Sequence, residues 1–112
     1  MITSINNAEH YTWGEHCDCW HLLRSNRLSV IQELMPPGTS EKSHYHEHAQ
    51  QVFYVLSGTA SFDIDGLIKT VSEHESIHIP KNTKHRIFND TDTDLHILVI
   101  SEPKAHGDRV NV

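Results

Sequence analysis

Turn-forming residues break this chain into pieces too short for anything but strands. Breakers stand at Pro36-Pro37-Gly38, Ser57-Gly58, Asp65-Gly66, Pro80, the run from Asn89 to Asp94, Pro103 and Gly107. The segments between them are rich in β-branched and aromatic residues, and none long enough for a helix carries a helical period. Strands are therefore expected near 20–25, 28–35, 43–48, 51–57, 59–65, 67–71, 75–79, 84–89 and 95–101. Phe62 and Ile64 alternate with Ser61, Asp63 and Asp65. Ile77 and Ile79 alternate with Ser76, His78 and Pro80 in the same way, which is the period of a half-buried strand. Asp65-Gly66 between apolar runs predicts a hairpin turn. Many short strands at regular spacing predict an all-β sandwich or barrel. The 112 residues have the length of one small domain. Residues 1–15 and 103–112 are expected to be peripheral, either mobile or used in an interface.

Charge narrows the function. Nine Lys and Arg stand against 15 Asp and Glu, a formal charge of −6. An acidic domain lacks the basic footprint of nucleic-acid binding. The longest apolar runs, such as Val52 to Leu56 and Ile97 to Ile100, are too short to span a bilayer, so no membrane partner is expected. The opening MITSINNAEHYTW lacks the basic-then-apolar pattern of a secretory signal. Two cysteines, Cys17 and Cys19, make no disulfide framework, and a reduced, cytoplasmic protein is expected. Hydrophobic residues are 37 %, low for a self-sufficient core, and a homodimer that hides an apolar sheet face is expected.

The unusual count is 11 histidines. His44, His46 and His48 alternate, so on one continuous strand they would share a face. Gln51 follows, and His85 comes much later. Imidazole nitrogens suit a borderline divalent transition metal such as Zn, Fe, Mn, Ni or Cu. Two ligands from one strand, a third His from another and one oxygen ligand leave open positions for water or substrate. Alternating histidines also suit a solvated strand face, and the alternation by itself favours that reading. His10, His16, His21, His96 and His106 read as surface or packing residues. The run His16-Cys17-Asp18-Cys19-Trp20-His21 looks like a second metal site, but its C-x-C spacing differs from that of structural zinc. Cys17 and Cys19 are read as free thiols. Trp20, Phe53, Tyr54 and Phe62 are read as core aromatics, and Asp90, Asp92 and Asp94 as a polar turn.

Register decides the matter. Gly38, TSEKS, His44-Tyr45-His46, EHAQ, Gln51, VFYVLS and Gly58 form one block over 38–58. His74, ESIHI, Pro80-Lys81-Asn82, TK, His85, RIF and Asn89 form a second over 74–89. The pair resembles the two motifs of the cupin superfamily. Gln51 stands where the family has Glu, and His74 and Asn82 stand where it has Gly. The whole chain is similar to small single-domain cupins related to mannose-6-phosphate isomerase. The resemblance implies a single small jelly-roll β-barrel with a metal held by His44, His46, Gln51 and His85. It carries no ligand role for His48, and of the two adjacent glutamines only Gln51, not Gln50, keeps the spacing to Gly58. A neutral Gln leaves a divalent site more positive than Glu would, a weaker trap for the ion but a stronger Lewis acid.

Three functions stay open at this point. The ion could activate a small polar substrate such as a sugar or keto acid, in dioxygenase or isomerase chemistry, with His48 or His78 as base. The same pocket could hold a small-molecule ligand without turnover, as a sensor. The barrel could also be metal-free and structural. No carboxylate base is evident from spacing.

Overall fold

The computed structural model describes residues 1–112. The chain folds into strands alone: β1 (Glu9–Trp13), β2 (Cys17–Arg24), β3 (Ser29–Met35), β4 (His44–His46), β5 (Gln50–Ser57), β6 (Ala60–Ile64), β7 (Leu67–Val71), β8 (Ser76–Ile79), β9 (His85–Phe88), β10 (Leu95–Glu102) and β11 (Arg109–Asn111). No helix is long and apolar enough to cross a membrane.

Two antiparallel sheets form a jelly roll. One runs β1-β2-β3-β10-β5-β8 and the other β11-β4-β9-β6-β7. Consecutive strands repeatedly change sheet, so the two halves interleave. The period-2 pattern then fills the space between them. Along β10, Leu95, Ile97, Val99 and Ser101 point inward and are buried, while His96, Leu98 and Ile100 point outward. Gln51, Phe53 and Val55 do the same on β5. Met35, Phe53, Val55, Phe62, Ile87, Leu95, Ile97 and Val99 belong to one core cluster. Fully burying a side chain such as Phe62 contributes roughly 1.5–3 kcal/mol.

Turn chemistry closes the hairpins as the sequence predicts. Asp65 (φ 50) and Gly66 (φ 89) both take left-handed backbone between the paired residues Ile64 and Leu67. Gly58 has φ +88, and a Cβ there would lie 2.5 Å from the Asp94 carbonyl oxygen, so only glycine fits. His74 (φ 66) and Asn82 (φ 61) adopt positive φ although they carry side chains. Asn89 is buried and its amide donates to the carbonyls of Met35 (2.9 Å) and Thr93 (2.8 Å), tying the end of β9 to the end of β3.

The structure differs from expectation at both ends of the chain. Segments read as peripheral supply β1, which pairs with β2, and β11, which pairs with β4. Tyr11 and Trp13 alternate inward on β1, and β11 is only three residues long, too short to signal itself. The expected strand over 43–48 stops at His46.

Candidate metal centre

β4 places His44 and His46 inward with Tyr45 between them turned away. His85 opens β9 directly opposite His44. The three imidazoles are buried, with one ligand nitrogen from each lying within 4.8 Å of the others. Ring centroids are 4.4 Å apart for His44 and His85, 5.0 Å for His44 and His46, and 6.0 Å for His46 and His85. Two of the rings are oriented by the same local device. His44 Nδ1 donates to the Lys42 carbonyl at 2.8 Å, and His85 Nδ1 to the Thr83 carbonyl at 2.8 Å. Each bond fixes the tautomer and leaves Nε2 as a lone-pair donor, the usual second contact of a metal-binding histidine.

Burial keeps these rings neutral. Desolvation pushes His44 down to about 3 and His46 down to about 4, and it lowers His85 as well. Neutral imidazole is the form that ligates. His85 Nε2, His46 Nδ1 and Gln51 Oε1 are buried polar atoms with no hydrogen-bond partner. Such atoms are costly in an interior. A cation held by the three imidazoles would satisfy His85 Nε2, whose Nδ1 is already bonded, so the residues present fit a bound metal.

His44 and His46 line a cavity of about 610 Å³, which also meets Gln51, Phe53, Val99 and Ser101. That volume suits a small molecule. Gln51 Nε2 donates to Ser101 Oγ at 3.0 Å.

Two carboxyls on the cavity wall escaped the sequence reading. Glu33 Oε1 accepts from Trp13 Nε1 and Cys19 Sγ, each at 3.1 Å, and burial raises its carboxyl above the usual range. Glu41 accepts the Ile87 amide at 3.1 Å, and burial, reinforced by Glu33, pushes it up to about 8. Its 3.9 Å approach to His44 Nδ1 is not an ion pair, because both groups are neutral near pH 7. Glu33 shares its phase on β3 with Ile31 and Met35, and that phase was the available signal. Glu41 lies outside any strand and gave none.

Other candidates fall elsewhere. His48 has left the strand, its side chain 75 % exposed, and its Nδ1 lies 2.9 Å from Asp108 Oδ1. His78 is exposed and bonds Gln50 Oε1 at 2.9 Å on the outer side of the sheet. Neither offered base is in the cavity. Cys17 and Cys19 are free and buried, as expected, and His16 is exposed apart from them.

The comparisons agree with this fold. The family model for the cupin domain matches residues 31–101. A mannose-1-phosphate guanylyltransferase of Escherichia coli strain K12 is 32 % identical over 96 residues, covering 86 % of this chain and 20 % of that enzyme. The chain thus spans about a fifth of that relative's length. Among solved structures, KdgF from Halomonas sp. superposes with a TM-score of 0.84 at 15 % identity, covering 93 % of this chain and 94 % of that one. An RmlC-like cupin from Shewanella frigidimarina gives 0.81 at 20 % identity, covering 92 % and 90 %.

Proposed function

This chain belongs to the cupin domain family, and from that premise we propose that His44, His46, His85 and Gln51 hold a divalent transition metal that meets a small polar molecule in the cavity. The observation that carries the reading is the cluster of three buried, neutral imidazoles whose ligand nitrogens converge within 4.8 Å. The unpartnered Oε1 of Gln51 supports it as the fourth donor. When bound, an ion with this donor set supplies Lewis acidity toward a carbonyl or hydroxyl oxygen.

The chain's own residues favour proton-transfer chemistry of the isomerase type, on a sugar or keto acid, over passive binding. Glu33 lines the cavity, and burial raises its carboxyl above the usual range, toward the values that suit proton transfer. Its Oε1 is occupied by Trp13 and Cys19, and no protein group bonds its Oε2. It can therefore give or take a proton within the cavity.

We also propose that two copies pair through the outer face of the six-stranded sheet. Trp20, Gln32, Leu98 and Tyr54 lie in register across four strands on that face, next to Val30, Ile100 and Val52. All seven are partly buried within one chain and mostly apolar. A second copy laid on this face would cover it, which supports the pairing.

Metal analysis of protein purified without nickel resin tests the centre. The expected result is close to one equivalent of transition metal after loading with iron, manganese or zinc. Less than about a tenth of an equivalent would overturn it, since neutral His ligands bind metal readily at pH 7.

A further inference from the structure

The cavity is positively biased although the chain is acidic. The chain carries a formal charge of −6, yet Arg24, Lys104 and Arg109 line this cavity against only two acids, Glu33 and Glu41. Arg109 lies 3.8 Å from the Glu41 carboxyl, which leaves Arg24 and Lys104 against Glu33 alone among the lining residues. The field within therefore opposes that of the molecule as a whole, which is how a protein concentrates an anion in a cleft.

A specific irregularity produces the bias. On β2 the odd positions Cys17 and Cys19 point inward. An unbroken strand would carry Leu23 inward and Arg24 outward. Instead the register shifts between His21 and Leu23, so that Leu23 pairs with the outward Val30 and Arg24 with the inward Ser29. The bulge turns a leucine out to solvent, where it is 43 % exposed, and brings an arginine to the cavity mouth. Re-aiming a side chain is the usual effect of such a bulge.

The tail completes the rim. The Lys104 amide donates to the Asn26 carbonyl at 3.2 Å, which ties the segment after β10 to the turn that follows Arg24. Lys104 and His106 side chains line the cavity with no hydrogen-bond partner. Arg24 spends one nitrogen, Nη1, on Glu9 and keeps the rest of its fork. Arg109 is otherwise committed, donating to the Lys42 carbonyl and to Asn111.

We propose that Arg24, Lys104 and His106 bind the oxyanion of the substrate, a phosphate monoester or a carboxylate, at the mouth of the cavity. The substrate's polar end would then reach the histidine cluster, and this part rests on the function proposed above.

The test uses full-length protein stripped of metal with a chelator. Inorganic phosphate and succinate are titrated separately at constant ionic strength by calorimetry. The wild type is expected to bind at least one of them at a single site, and the preferred one identifies the group. The double variant Arg24→Gln, Lys104→Gln should bind it at least about tenfold more weakly, as loss of charge-assisted contacts requires. Lys69→Gln, on the exposed face of β7 away from the cavity, should bind like wild type. Melting temperatures of the same samples, and metal content after separate reloading, should not differ between wild type and variants. Equal binding by wild type and double variant, or no binding of either anion, would overturn the proposal. Retained anion binding in a protein that loads no metal would instead count against the metal centre alone.

Discussion

Gln51 turns its amide nitrogen to Ser101 Oγ at 3.0 Å, and its Oε1 is left buried and unpartnered beside the cavity that Gln51 lines together with His44 and His46. Ser101 thus acts as an orienter, as the Lys42 and Thr83 carbonyls do for His44 and His85. Ser101→Ala should weaken metal retention by about tenfold or more, the usual effect of losing an orienting partner. Gln51→Glu should tighten it, because a carboxylate neutralises part of the ion's charge. Competition with a chromogenic chelator measures both. Unchanged affinity in both variants would remove Gln51 from the ligand set.

The alternation of His44, His46 and His48 is broken by the chain leaving β4 after His46. Asp108 then captures the loop, accepting from the amides of His48 and Ala49 at 2.9 Å each and lying 2.9 Å from the His48 ring. His46→Ala should strip most of the metal, whereas His48→Ala should leave metal content unchanged. Asp108→Ala should cost about 2 kcal/mol in denaturant unfolding, since it frees two backbone donors. Those contacts hold the Asp108 carboxyl down to about 2. Its contribution is complete above its ordinary value of 3.8 and is lost as pH falls through about 2.

Stability of the metal-free protein should pass through a maximum near pH 6.5. Glu41 titrates near 8 in the fold and near 4.5 in the unfolded chain, so it stabilises below 4.5 and that contribution fades as pH rises through 8. Glu33 shifts in the same direction. The three site histidines act oppositely: from their ordinary value of 6.5 downward, the unfolded chain takes up protons that the native state refuses. Lowering pH from 8 to 6.5 should therefore raise the melting temperature. Between 6.5 and 4.5 His44 and His46 outweigh Glu41, and below 4.5 the fall continues until His46 and His44 themselves charge near 4 and 3, joined below 3.8 by the loss of the Asp108 contribution. Glu41→Gln should flatten the alkaline arm. An alkaline arm that persists in that variant would show that other groups cause it.

Both thiols should be inert in the fold. Cys17 and Cys19 are fully buried, and desolvation raises both above the ordinary thiol value. A disulfide dye should find no thiol within minutes in native protein and two per chain in guanidinium chloride. Rapid native labelling would mean that β2 opens locally.

The sequence and the structure part company at identifiable places. His44, His46 and His85 were legible because each is fixed by spacing to a turn, Gly38 or Pro80, and turns are local. The hairpin at Asp65-Gly66 was legible for the same reason. Arg24 was not, because its face depends on a bulge that β3 imposes from across the sheet. Glu41 was not, because its place is set by contacts to Ile87, far along the chain. β11 was not, because a strand of three residues exists only through its partner β4. Local chemistry was readable, and what depends on long-range pairing was not.

The strain at His74 offers the most direct test of register. His74 sits at φ 66 in the position where the family has glycine, and it is exposed. A side chain in left-handed backbone costs about 1–2 kcal/mol relative to ordinary geometry. Glycine removes that cost but makes the unfolded chain freer by about 0.4–1 kcal/mol. Its one side-chain hydrogen bond, to the Tyr54 hydroxyl at 3.5 Å, is long and exposed and adds little. Relief of the strain outweighs the added freedom of the unfolded chain, so His74→Gly should stabilise by about 0.5–1 kcal/mol, a few degrees in melting temperature for a domain of this size. Gly58→Ala should move the other way and by more, because positive φ and a 2.5 Å backbone clash act together there. A destabilised His74→Gly would mean that the histidine makes a contact worth more than its strain.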